Sequence, residues 1–268
     1  MKKKKLSLIS SIHFVKLFYR SILFILALIL YIYCRINDKS DIFHNFGYSF
    51  ILLGIIWLVY VCEMIMRFFP SKFESMGCQK QFKKNYIPIE NGETRLQSEN
   101  RTLLVVLFWI LLNLIIGLLY WFNLIDASIL ILISLAYGIC DMICILFFCP
   151  FQTWIMKNRC CTVCRIYNWD FIMMFTPCLF IPHLYTWSLF ILSLILLLRW
   201  EFTYLKHPER FSDATNAYVT CSNCTEKLCH HKKQLQSFIK KNKEFLFNQK
   251  NKIIDKVKSI KKKDNEDI

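Results

Sequence analysis

Long apolar runs follow one another in this chain, at residues 21–34, 46–66, 103–122 and 129–148, and again, with interruptions, across 165–200. A helix needs roughly 20 apolar residues to cross a bilayer core, where no water can satisfy its backbone. Hydrophobic residues make up 55% of the chain, more than a soluble domain of this length can cover with polar surface. The expected fold class is therefore an all-α integral membrane protein.

The formal charge of +15 must sit outside those runs, and its distribution orients them. Residues 67–101 carry Arg67, Lys72, Lys80, Lys83, Lys84, Arg95 and Arg101, whereas 123–128 carry no Lys or Arg. Basic loops stay in the cytosol, so the first of these two is assigned inside and the second outside. The N-terminal MKKKK is likewise cytosolic. Leu30-Tyr31-Ile32-Tyr33 is too bulky for a signal-peptidase site, so the first run is read as a retained span.

Pro177 and Pro182 interrupt the run over 165–200. A single span there would carry the lysine-rich C-terminal third outside. Two spans keep it inside, the first of 18 residues reaching ~27 Å; a partly re-entrant first segment gives the same topology. The expectation is thus about six transmembrane helices, near 17–34, 46–66, 103–122, 129–148, 165–182 and 183–200. Both termini are placed in the cytosol and the chain in the plasma (cytoplasmic) membrane. Domain boundaries follow: a transmembrane domain over 1–205, a Cys/His-rich cytosolic segment over 206–232 and a basic tail over 233–268.

In the tail, Phe238, Ile239, Phe245, Leu246, Ile253, Val257 and Ile260 recur at helical spacing between lysines. That pattern suits an amphipathic helix on anionic lipid headgroups, or a short solvated helix. Nucleic acid is not expected as a partner, since no recognition motif accompanies the charge.

Thirteen cysteines supply the sharpest chemical signal. Cys160-Cys161-Thr-Val-Cys164 follows the fourth span, and Cys221-Ser-Asn-Cys224 precedes Cys229, His230 and His231. Two intervening residues let a tight turn present both sulfurs to one ion, and four thiolates form a tetrahedral set suited to zinc or to an iron–sulfur cluster. With two crossings between them, both clusters face the cytosol. Cys161, Cys164, Cys221 and Cys224 are then the expected ligands, with Cys160, Cys229, His230 and His231 as alternates. Arg165 and Lys227 would offset the thiolate charge, which equally suits a redox dithiol. Covalent haem attachment is excluded because neither C-x-x-C pair is followed by His. A palmitoyltransferase reading fails too, as Cys229-His230-His231 lacks the required aspartate and the cysteine after the histidines.

The segments Cys149-Pro-Phe-Gln-Thr-Trp, Lys157-Asn-Arg-Cys-Cys and Asn168-Trp-Asp-Phe-Ile-Met-Met-Phe-Thr-Pro177, together with 221–231, resemble an uncharacterised family of multi-pass bacterial membrane proteins. The resemblance covers mainly 149–237 and implies no activity.

Acids within spans are costly and so mark candidate functional residues. Asp141 stands in the fourth span between Cys140 and Cys144. Glu63 stands near the inner end of the second, four residues before Arg67, which suggests a local ion pair. Asn113 and His183 read as packing or interface residues, and Cys62, Cys140, Cys144 and Cys178 as small apolar fillers. Cys144 or Cys149 could also serve the clusters as a resolving thiol. Three functions fit. The first is a scaffold or interaction protein stapled by a cytosolic zinc site. The second is a membrane redox or electron-transfer protein using an iron–sulfur cluster or a reactive dithiol. The third is a small transporter using Asp141 and Glu63.

Overall fold

The computed structural model describes residues 7–37, 48–95, 97–158, 160–226 and Cys229. The basic tail over 233–268, Lys227, His230 and His231 lie outside the described residues. The chain divides into two units, Met1–Lys227 and Leu228–Ile268, and the helices that follow belong to the first.

All regular structure among the described residues is helical. Helix α1 spans Leu8–Ile36, α2 Tyr48–Met66, α3 Met76–Gln79, α4 Glu99–Trp121, α5 Ala127–Leu146, α6 Asp170–Phe175 and α7 Leu184–Lys206. Of these α1, α4, α5 and α7 are long and apolar enough to cross a membrane. Helix α2 is a shorter apolar helix.

Helix α1 begins earlier than residue 17. The Ser7 side chain caps it by accepting from the Ser10 N–H at 3.1 Å, which satisfies one of the free donors of the first turn. No glycine or proline interrupts it before Asn37. In its first turns Ile9, Ser10, His13, Lys16 and Arg20 are all buried. At spacings of three and four they form one inward stripe, and α1 packs along α5.

The segment expected as a fifth, 18-residue span is instead broken. A 3-10 turn at Arg165–Asn168 leads into the six residues of α6 and a second 3-10 turn at Thr176–Phe180. Pro177 supplies no N–H and tightens the winding there. Asn168 and Asp170, at the other end, are held by Arg67. The apolar stretch Asp170–Phe180 would cover only ~16 Å as a helix, far short of a bilayer core of roughly 30 Å. Its Phe171, Met174 and Phe175 are buried among Tyr60, Met64, Leu135 and Leu196, so this short element forms the centre of the bundle.

Two further contacts fix it. Helices α5 and α7 pack against α6 on either side, and Gly117 of α4 lies directly against the ring of Phe180. The remaining faces of α1, α4 and α7 expose large apolar residues such as Phe18, Leu107, Leu111 and Leu198, the surface that lipid would cover.

Candidate functional site

Three cysteine-bearing segments, with α4 and α6, line a cavity of about 270 Å³. Helix α5 contributes Cys140, Asp141 and Cys144, the turn after it Cys149 and Gln152, and the loop before α6 Cys161 and Cys164. Asp170, Met173 and Met174 of α6 complete the lining, with Trp109 and Tyr137. Cys140 and Cys144 are therefore cavity residues rather than fillers. The sequence explains their alignment, since positions four apart share a helix face.

Gln152 joins two of the cysteine segments. It lies on a six-residue π-helical turn, Phe151–Met156, that ends at Lys157 in a left-handed conformation. The Cys161 thiol donates to its Oε1 at 2.7 Å, and its backbone N–H donates to the Cys149 sulfur at 3.3 Å. Cys149 is also hydrogen-bonded to Cys144. A chain of contacts thus runs Cys144, Cys149, Gln152, Cys161 along the cavity wall.

Lys80 fixes the C-x-x-C loop from behind. Its ammonium is completely buried and donates to the carbonyls of Thr162 and Cys164 at 2.8 and 2.9 Å. It also lies 5.3 Å from the Trp200 ring and 5.2 Å from that of Phe211, within cation–π range. Burial, partly offset by the nearby Cys164, Cys78, Cys160 and Cys161 sulfurs, brings Lys80 down to about 8. Burial likewise raises the Cys164 thiol, with Lys80 opposing the rise. Arg165, expected to offset thiolate charge, does otherwise: it pairs with Glu201 at 2.8 Å and covers the Tyr204 ring. Among the described residues Lys80 is the cation that holds the loop, and no motif marked it.

The second cysteine segment docks on the same short helix. Glu226 accepts from the Met76 N–H at the start of α3 at 2.5 Å, while its own carbonyl accepts from Ser10 at 2.7 Å. Burial raises its carboxyl, opposed by hydrogen bonds from the Met76 and Gly77 N–H groups and from Ser75. Residues 160–164 and 221–226 therefore both reach Ser75–Lys80, one through Lys80 and the other through Met76. The sulfurs themselves are disposed differently. Cys164 is buried and Cys161 half-buried at the cavity, whereas Cys221 and Cys229 are exposed and Cys224 is half-buried. Among the described residues no group of three or more His, Cys, Asp or Glu side chains is arranged to hold a metal ion.

Beneath the cavity lies a network of buried charges. Glu63 does not pair with Arg67 of its own chain segment; it takes Arg20 of α1 at 2.6 Å. The same guanidinium reaches Asp141 at 3.3 Å and the Gly138 carbonyl at 3.0 Å. Arg67 turns instead to Asp170 and Asn168. Lys16 and Glu74 pair at 2.8 Å. Burial would raise Glu74, but Arg67 and Lys16 outweigh it and hold the carboxyl below its usual range. Asp141 and Asp170 belong to both the network and the cavity.

Asn113 is buried and donates to the Trp109 carbonyl, and His183 accepts from the Tyr185 N–H at the start of α7. Cys62 is exposed, and Cys178 lies buried beside Ser134. No protein-family model, curated protein or solved structure matches this chain.

Proposed function

We propose that this is an integral protein of the cytoplasmic membrane, both termini cytosolic, that carries out thiol–disulfide exchange at its cysteine-lined cavity. The observation that supports this reading is the convergence of Cys140, Cys144, Cys149, Cys161 and Cys164 on one cavity from three segments of chain. Cys161 is the accessible sulfur of the C-x-x-C pair and Cys164 the buried one.

In this reaction the Cys161 thiolate attacks a disulfide of a partner molecule, forming a mixed disulfide and releasing one partner thiolate. Cys164 then displaces the second partner sulfur and closes a Cys161–Cys164 disulfide. The two thiol protons of the pair pass to the two partner sulfurs, so electrons and protons balance. Lys80, held on the loop's carbonyls, positions the pair and provides the positive charge that a thiolate there requires.

The test is anaerobic purification of the full chain in detergent, followed by thiol counting, metal analysis and trapping. The expected result is reversible loss of two thiols on oxidation and a stable mixed disulfide on Cys161 in a Cys164→Ser variant. Stoichiometric zinc, or brown colour with acid-labile sulfide, would overturn this reading.

That outcome would favour a second reading, a metal staple using Cys161, Cys164, Cys221 and Cys224. One observation supports it: both cysteine segments dock on Ser75–Lys80. Zinc binding would then add its own energy to that of folding.

A further inference from the structure

Charge does not balance evenly in the buried network. Arg67 and Lys16 face Asp170 and Glu74, a matched set held by short contacts. Among the described residues Arg20 is the cation in direct contact with both Glu63 and Asp141. If both carboxyl groups were ionised, the triad would carry a net negative charge with Arg20 fully buried and Glu63 only 4% exposed.

An isolated ionised carboxylate in such a place is expensive, and proteins neutralise it. The hydrogen bonding shows where. Glu63 Oε2 takes Arg20, but Glu63 Oε1 is buried and has no partner among the described residues. Asp141, its side chain 16% exposed against 5% for Glu63, opens onto the cavity.

Lys16 and Arg67 also face Glu63, but each is paired with a carboxylate of its own, and the remaining groups around the triad supply no further cation. From α1, His13 faces Lys16 and Glu74, with Arg67 and Arg20 beyond; a proton there would add a further cation beside cations. From α2 come the uncharged Tyr60 hydroxyl, also without a partner among the described residues, and Arg67, which is committed to Asp170. Cys78 is buried near Arg67, and burial keeps its thiol protonated. On α5, Cys140 is the sequence neighbour of Asp141 and also lines the cavity.

We infer that the Arg20–Glu63–Asp141 triad is a proton-binding site, holding one exchangeable proton between the two carboxyl groups, with Asp141 as its point of exchange through the cavity. The site makes no use of the cysteines and stands whether or not they exchange disulfides. It gives a chain with acids inside a bilayer the means to take up and release a proton without unpairing Arg20.

Infrared spectroscopy of the full chain in lipid vesicles at neutral pH tests this. The expected spectrum has the carbonyl stretch of a protonated carboxylic acid that shifts in deuterated water, and either Glu63→Gln or Asp141→Asn removes it. Glu226→Gln serves as the control that leaves it in place. Absence of the band from the wild-type chain, or its survival in both variants, overturns the proposal. A band seen only when sodium is replaced by choline also overturns it, because a metal cation then occupies the site in place of the proton. If one variant fails to fold, the other decides: loss of the band there, with the band kept in Glu226→Gln, supports the triad, and its survival overturns the proposal.

Discussion

Arg67 and Asp170 meet at two points, 2.6 Å and 2.5 Å, with 4% of either side chain exposed. The guanidinium also lies 4.3 Å from the Phe171 ring centroid and donates to Asn168 at 2.8 Å. This arrangement ties the end of α2 to the start of α6, and so sets the depth at which the short central element sits.

Removing one partner of such a pair strands the other charge, at a cost of about 3–5 kcal/mol. Asp170→Leu should therefore lower the melting temperature in detergent sharply. Arg67→Lys should also destabilise, because an ammonium cannot match both carboxylate oxygens. Replacing both, as Arg67→Met with Asp170→Leu, should recover most of the loss, since a well-packed apolar pair can equal a buried ion pair. If the double variant were no more stable than Asp170→Leu, the pair would not be the reason for the arrangement.

How far this was legible in the sequence can be judged from the same residues. Apolar run length located α2, α4 and α5 to within about four residues and the start of α7 to within one, though α7 runs six residues past its expected end, to Lys206; a bilayer core sets the length of such runs. Run length misplaced the start of α1, since His13, Lys16 and Arg20 look solvent-facing until their partners on other elements are known. Glu63 with Arg67 at i, i+4 suggested a local pair, yet three-dimensional packing offered each a better one. Lys80 and Gln152 carried no motif at all, as their role is to hold backbone and thiol groups that only the fold brings near. The cysteine pattern drew attention to both segments; it could not show that 161 and 164 turn to a cavity while 221 faces outward.

Lys80 gives a pH dependence with a definite sign. Its folded value of about 8 lies below its ordinary 10.5, so between those limits the unfolded chain binds more protons than the folded one. Stability should then rise with pH across that window, by roughly 3 kcal/mol at 1.36 kcal/mol per unit, and below about 8 the full cost of the buried charge remains. Melting curves of the wild type and Lys80→Met, recorded from neutral to strongly alkaline pH, isolate this contribution from the other lysines. The wild type should gain stability relative to Lys80→Met as pH rises through that window; parallel curves would refute the assignment.

The contact between Gly117 and Phe180 leaves no room for a side chain. A methyl added at 117 runs into the Phe180 ring, which is fixed by the 3-10 turn behind Pro177. Overpacking of this kind costs about 1–3 kcal/mol, so Gly117→Ala should destabilise. Trimming the ring with Phe180→Leu should recover part of it in the double variant but not in the wild-type background. Equal effects of Phe180→Leu in both backgrounds, measured by thermal unfolding, would show the two residues to be uncoupled.

Gln152 should govern the reactivity of Cys161. Its Oε1 accepts the thiol hydrogen at 2.7 Å, an interaction that stabilises the neutral thiol and holds the sulfur against the cavity wall. A hydrogen bond of this type contributes about 1 kcal/mol, so Gln152→Leu should speed alkylation of Cys161 by roughly fivefold at fixed pH. Cys149 should change less, because it receives its hydrogen bond from the backbone N–H of residue 152, which the substitution keeps. Cys164, buried behind the loop, should stay slow in both proteins, and Cys221, exposed, fast in both. The measurement is the rate of modification by a small maleimide, site by site, with Cys161→Ser as the blank. An unchanged Cys161 rate would mean that Gln152 shapes the turn without restraining the thiol. A faster Cys164 would mean instead that the substitution had opened the loop held by Lys80.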